Sequence, residues 1–167
     1  MSNLSIYVAD IAAYNAGTLR GEWLDVSGFD KSDLRSSIDD LLSKWEAEEW
    51  GFFDFEGFPY NFGEYESLDN IAAYIQAVET YEHPVVNAYL NFFDINELEM
   101  LCERYLGEFE SDTDFVHYWL EETGELQSVN ESLRSYFDAE AWLRDAVLNG
   151  TFNYLRVGGK TYVFTGW

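Results

Sequence analysis

The chain has 167 residues, with 32 Asp and Glu against 9 Lys and Arg and a net charge of −23. A balance this acidic excludes a direct nucleic-acid binder or a protein held on an anionic membrane by a basic patch. The 47% hydrophobic and 19% aromatic content excludes an acidic disordered chain, which lacks the apolar mass for a core, and the length suits one ordinary domain or two or three small ones.

Ser5 to Ala9 reads as a strand, Asn15-Ala16-Gly17 as a turn and Thr18 to Val26 as a second extended run, together a hairpin-like opening. Leu34, Ile38, Leu41, Leu42 and Trp45 recur at helical spacing behind Asp30 or Ser32 as cap. Glu49 to Glu56 is a third extended run, and the unit ends near Pro59. Tyr60 to Glu66 reads as a linker. Ser67 then caps a helix carrying Leu68, Ile71, Ala72, Ile75 and Val78, which stops before Pro84, where a second helix starts. Asp94-Ile95-Asn96-Glu97 resembles a capping box opening a third helix through Leu98, Leu101 and Tyr105. Further on, Phe109 reads as strand and Asp112 as the cap of a helix with Phe115, Val116, Trp119 and Leu120, stopped by Gly124. Asn130 and Asp138 cap two more helices, the second running from Ala139 to Leu148. Thr151 to Val157 and Lys160 to Thr165 form a hairpin around Gly158-Gly159. The expected class is α+β in three small domains. These are an antiparallel sheet with a helix (1–61), a central acidic helical unit (62–106), and helices with a β-hairpin or sheet (107–167).

The charge is not spread evenly. Residues 1–44 hold 7 acidic and 4 basic groups, 45–133 hold 22 and 1, and 134–167 hold 3 and 4. Duplex DNA carries roughly one negative charge per 1.7 Å of axis, so the middle stretch laid along an elongated body approaches that density. Mutual repulsion favours such a shape. The N-terminus lacks a signal-peptide pattern and no run reaches the ~20 apolar residues of a membrane span. The single cysteine, Cys102, reads as a small buried hydrophobe, and a cytoplasmic location is expected.

Sites for chemistry are sparse. Thirty-two carboxylates guarantee close pairs, so a pair such as Glu121 and Glu122 reads first as a solvated face. Asp112-Thr113-Asp114 has the first spacing of a calcium loop, but Val116-His117 stand where its glycine and later ligands belong. His83 and His117 are far apart, and no zinc, P-loop or nucleophile-elbow spacing occurs. No enzyme, metal or cofactor is expected.

Two segments carry more than composition. Ile6-Tyr7-Val8, with Tyr14-Asn15, Gly17, Leu19, Gly21 and Trp23 following, resembles the opening of the ArdA antirestriction family. Glu121-Glu122-Thr123-Gly124, continuing through Leu126, Val129, Ser132-Leu133, Tyr136, Asp138 and Arg144-Asp145 to Phe152, is similar to its C-terminal block. The resemblance covers essentially the whole chain. It implies an elongated dimer of three domains that mimics bent B-form DNA, fills the DNA-binding groove of type I restriction-modification enzymes, and protects incoming mobile-element or phage DNA. Leu126 to Asp145 corresponds to the family's antirestriction motif, associated with subunit contact as much as enzyme contact. Leu126, Val129, Leu133, Tyr136 and Trp142 are therefore the dimer-interface candidates.

The matched aromatics Tyr7, Trp23, Tyr136 and Phe152 read as core residues, which leaves binding to the acids. The chosen set is Glu46, Glu48, Glu49, Asp54, Glu56, Glu64, Glu66, Asp69, Glu79, Glu82, Asp94, Glu97, Glu99, Glu103, Glu108, Glu110, Asp112 and Asp114, each standing for a phosphate. Two other readings stay open: an acidic adaptor that sequesters basic DNA-binding proteins, and a carboxylate-based hydrolase.

Overall fold

Alternating apolar residues Ile6 and Val8, both essentially inaccessible, place β1 (Ser5–Asp10) at the centre of a three-stranded sheet. The computed structural model describes residues 3–58 and 62–167, and the chain forms two units, residues 1–99 and 100–167. Each contains an antiparallel sheet and helices, the expected α+β class.

In the first unit β1 pairs with β2 (Gly21–Asp25) on one side and β3 (Trp50–Glu56) on the other. The β1–β2 connection is more than a turn. Asp10 is 4% exposed, and its carboxylate accepts from the Ala13 amide at 3.0 Å, which starts a short helix, α1 (Ile11–Asn15). The second carboxylate oxygen lies 3.4 Å from Arg20 Nη1. Helix α2 (Lys31–Trp45) opens with a capping box between Asp30 and Asp33 and buries Leu34, Ile38 and Leu41. It ends at Glu46, whose φ of 54° is left-handed, the one such non-glycine among the described residues.

β3 carries a bulge. Asp54 faces Tyr7 and Phe52 faces Val8, so Phe53 is the extra residue, displaced from strict alternation. Pro59, Tyr60 and Asn61, where the first domain and the linker were expected to meet, lie outside the described residues. The rest of that segment is seated on β3. Phe62 is buried, and the Phe52 amide donates to the Glu64 carbonyl at 2.9 Å. Gly51 makes this approach possible, because a Cβ there would lie 2.8 Å from Glu64 Cγ.

Ser67 caps α3 (Leu68–Thr80), which buries the five expected residues and also Tyr74. Tyr74 donates its hydroxyl to Asn87 Oδ1 at 3.0 Å on α4 (His83–Leu90), with His83 Nδ1 at 3.3 Å. Burial pushes the Tyr74 phenol above its usual range and lowers the His83 imidazole. Gln76 on α3 donates to the Phe29 carbonyl at 3.0 Å, joining α3 to the turn before α2. The helix expected from Asp94 through Tyr105 is corrected: Ile95–Met100 is a 3-10 helix, α5 (Leu101–Arg104) is one turn, and Tyr105 begins a strand. Asp94 accepts from the Asn96 amide, two residues on, at 2.9 Å, which makes a local turn where a capping box would bond the third residue.

The second unit orders its strands β4 (Tyr105–Phe109), β6 (Lys160–Thr165) and β5 (Phe152–Val157). Gly158 and Gly159, at φ 59° and 80°, supply the paired left-handed conformations of a two-residue hairpin turn. Helix α6 (Asp112–Thr123) is capped by Ser111, whose hydroxyl accepts from the Asp114 amide at 3.1 Å, and not by Asp112. Asp112 instead accepts from the Thr161 hydroxyl at 3.0 Å and ties α6 to β6. A short α7 (Glu131–Arg134) precedes α8 (Ala139–Leu148). Phe115, Val116, Leu120, Leu143, Phe152 and Val163 form the core, with Trp119 and Trp142 packed at its margin. Among the described residues no helix is long and apolar enough to cross a membrane.

Candidate protein-binding surface

Core periodicity decides where the acids go, since each element spends its inward positions on apolar groups. Of the eighteen chosen acids only Glu66, Glu97 and Asp112 are half-buried, and the rest are exposed. In the first unit Glu46, Glu48 and Glu49 lie in the α2–β3 connection, Asp54 and Glu56 on β3, and Glu64 and Glu66 on the segment seated against it. Asp69 and Glu79 stand near the two ends of α3, Glu82 caps α4 without a side-chain bond, and Asp94, Glu97 and Glu99 surround the 3-10 turn. In the second unit Glu103 is on α5, Glu108 on β4, Glu110 just beyond it, and Asp112 and Asp114 in the first turn of α6.

Some of these charges are answered within the chain. Lys31 Nζ lies 2.8 Å from Asp69, while Lys160 bridges Glu108 at 3.1 Å and Glu110. Hydrogen bonds first to Glu110 and then to Glu108 raise the Lys160 ammonium above its ordinary value. Glu66 accepts from the Asn70 side chain at 2.8 Å and the Ser67 amide at 3.0 Å. Other acids stand where they cost stability. Neither α3 nor α6 has a basic residue in its last turn, where Glu79 and the pair Glu121 and Glu122 face the negative end of the helix dipole. Asp33, Asp39 and Asp40 are also exposed on α2. They were not among the chosen acids, although their spacing from Leu34, Ile38 and Leu41 marks the outer face of the helix. Among the described residues no three His, Cys, Asp or Glu side chains gather to hold a metal ion.

The aromatics depart from expectation. Phe152 is core, as expected, at 1% exposed, but Trp23 is 47% and Tyr136 83% exposed. Trp23 pairs with Tyr7 across β1 and β2, on the face opposite Ile6 and Val8, and their rings meet edge to face at 5.5 Å. Cys102 is exposed, not buried, because Leu101 beside it takes the inward position. Of the residues expected at a dimer interface, Val129, Leu133 and Tyr136 are exposed, whereas Leu126 and Trp142 pack against the second unit's core. Beside β3 lies a feature the sequence argument missed, a cleft of about 500 Å³ lined by phenylalanines, Tyr14, Asp54 and Glu64. The Glu64 carboxylate also raises the neighbouring Tyr65 phenol, a mark of the local negative potential.

These features define an acid-surfaced α+β protein. A family model described as antirestriction protein (ArdA) matches residues 6–161, and the chain belongs to the ArdA antirestriction family, inhibitors of restriction-modification enzymes. No curated protein matches the chain.

Proposed function

We propose that this protein inhibits type I restriction-modification enzymes by occupying their DNA-binding groove as a mimic of bent B-form DNA, shielding incoming mobile-element or phage genomes in the cytoplasm. The observation that carries the reading is the exposed acid set along residues 46–114, a stretch in which Arg104 is the one basic residue. The protein acts by stoichiometric occupancy, without turnover or cofactor and without binding DNA itself. A groove built to neutralise phosphates meets carboxylates instead, so complex formation releases counterions on the protein's side as DNA does on its own. The protein is a symmetric homodimer joined through the 126–142 region, where Val129, Leu133 and Tyr136 leave apolar surface open.

The direct test is to titrate the protein into a type I enzyme bound to labelled DNA. Displacement at equilibrium is expected, with an apparent affinity that falls steeply as salt rises. Binding that is indifferent to salt between low and moderate ionic strength would sink the mimic account.

A further inference from the structure

We infer that the cleft beside β3 receives an arginine side chain of the partner, so that this surface offers a flat π face in addition to its anions. The inference rests on the DNA-mimic reading and specifies what one part of the surface recognises.

The geometry begins with the bulge. Released from pairing, Phe53 is only half-buried and meets Tyr14 at a centroid distance of 5.0 Å with the rings at 88°. Tyr14 is 55% exposed at the end of α1, so one ring braces the other while part of both stays accessible. Phe58 and Phe62, buried and 5.6 Å apart, contribute to the lining. Two carboxylates complete it. Asp54 uses Oδ1 to accept from the Phe55 amide at 2.8 Å, which fixes its side chain, and the Glu64 backbone is held where its carbonyl accepts from the Phe52 amide. Among the described residues, none that lines the cleft is basic.

A cleft with aromatic walls and two carboxylates, on a chain of net charge −23, is complementary to a cation with a polarisable face. Between the two protein cations, guanidinium fits better than ammonium. It is planar, stacks on aromatic rings and gives up its hydration more easily, while its edge N–H groups reach carboxylates. The volume falls within the range of small-molecule pockets, so one side chain and its flanking backbone fit. A DNA-binding groove presents arginines to base edges as well as to phosphates. Carboxylates stand in for the phosphates, and this cleft answers an arginine that reads bases.

The test uses N-acetyl-arginine amide, with N-acetyl-lysine amide and N-acetyl-citrulline amide as controls, titrated into the full-length protein while aromatic ring signals are followed by NMR. Arginine should shift the Tyr14 and Phe53 rings saturably, lysine more weakly and citrulline hardly at all. Equal shifts with citrulline, or shifts spread over the acidic surface without a Tyr14–Phe53 focus, would overturn the inference. In DNA displacement, folded Phe53→Leu and Tyr14→Gln proteins should each inhibit about 2- to 30-fold less well, the span of a cation–π contact from exposed to desolvated, with the salt slope unchanged. Tyr14, being exposed, is the variant that keeps the fold if Phe53→Leu does not. Unchanged inhibition by a folded Tyr14→Gln protein also counts against it. If the wild type fails to displace DNA at all, the mimic reading falls by itself, while the arginine titration still decides what the cleft binds.

Discussion

Residues 1–99 carry 20 acidic and 4 basic groups, residues 100–167 carry 12 and 5, and yet each unit is built on an antiparallel sheet whose middle strand, β1 or β6, is largely buried. The first unit places its excess charge on exposed faces and connections, around an aromatic cleft. The second leaves Val129, Leu133, Tyr136 and Leu148 open to solvent. The contrast teaches that charge and core are written at separate positions. Because each helix and strand has an outer face that no apolar contact needs, acids can be added there with little loss of packing, at the cost of mutual repulsion. On the proposed reading, acids of both units meet the cationic partner, and the open apolar residues of the second unit meet a second copy.

The sharpest way to break this division of labour is to neutralise a contiguous set in the first unit. Replacing Glu46, Glu48 and Glu49 together by Gln should weaken DNA displacement about 10- to 100-fold at low salt. It should also lower the slope of log affinity against log salt by about 3, if each stands for one phosphate. An unchanged slope would remove the α2–β3 connection from the interface. A single neutralisation, Asp94→Asn, should change inhibition less than about 2-fold, as expected when many similar contacts share the energy.

The second unit is tested by a charge on its apolar surface. Leu133→Asp and Tyr136→Asp should shift sedimentation from dimer to monomer with thermal stability nearly unchanged, since the two side chains are 58% and 83% exposed. Trp142→Asp should instead destabilise the fold, because its ring lies 6.0 Å from Phe152 at the margin of the core. A wild type that sediments as a monomer at micromolar concentration would refute the dimer assignment.

Smaller effects separate stability from function. Glu46 holds a left-handed helix end that glycine adopts more easily, so Glu46→Gly should raise stability by about 1 kcal/mol while removing a charge. A stability gain with weaker inhibition would show the two quantities opposed at one residue, and a stability loss would refute the conformational argument. The smallest effect concerns pH. His83 has its folded pKa lowered from 6.5 by burial, so the unfolded chain binds the proton more readily. The contribution of His83 is therefore intact above pH 6.5 and lost as pH falls through the lowered folded pKa. His83→Gln, compared with wild type by denaturant titration at pH 7 and pH 5, should lose less stability between the two pH values. Equal losses would rule out a titrating role for His83.

Much of this fold was readable where two local signals agreed. α2, α3 and α8 each join a side-chain cap to helical apolar spacing, and the β5–β6 hairpin joins extended runs to a double glycine. Where one signal stood alone, tertiary structure overrode it. Tyr105 has helical spacing from Leu98 and Leu101 but pairs with Phe164 on β6, a partner 59 positions away that no local pattern reveals. The five residues of α1 are too few to display a period, and its cap, Asp10, is also the last residue of a strand. The acidic surface was legible because charge is a property of composition. The cleft was not, because Phe52 and Phe53 are adjacent aromatics whose different exposures arise from a bulge against β1. Register decides which of the two faces outward, and register is a relation between strands.

Gly51 shows a related economy. The segment that carries Glu64 lies this close because the neighbouring strand lacks one methyl group; Gly51→Ala would set a Cβ 2.8 Å from Glu64 Cγ and 3.3 Å from the Glu64 carbonyl, forcing the segment to yield. The coordinates of an electrostatic feature are thus stored partly in an uncharged residue. An inventory of acids records how much charge the surface holds, but its addresses are kept elsewhere, and a redesign that preserved every Asp and Glu could still lose the pattern through a single added carbon.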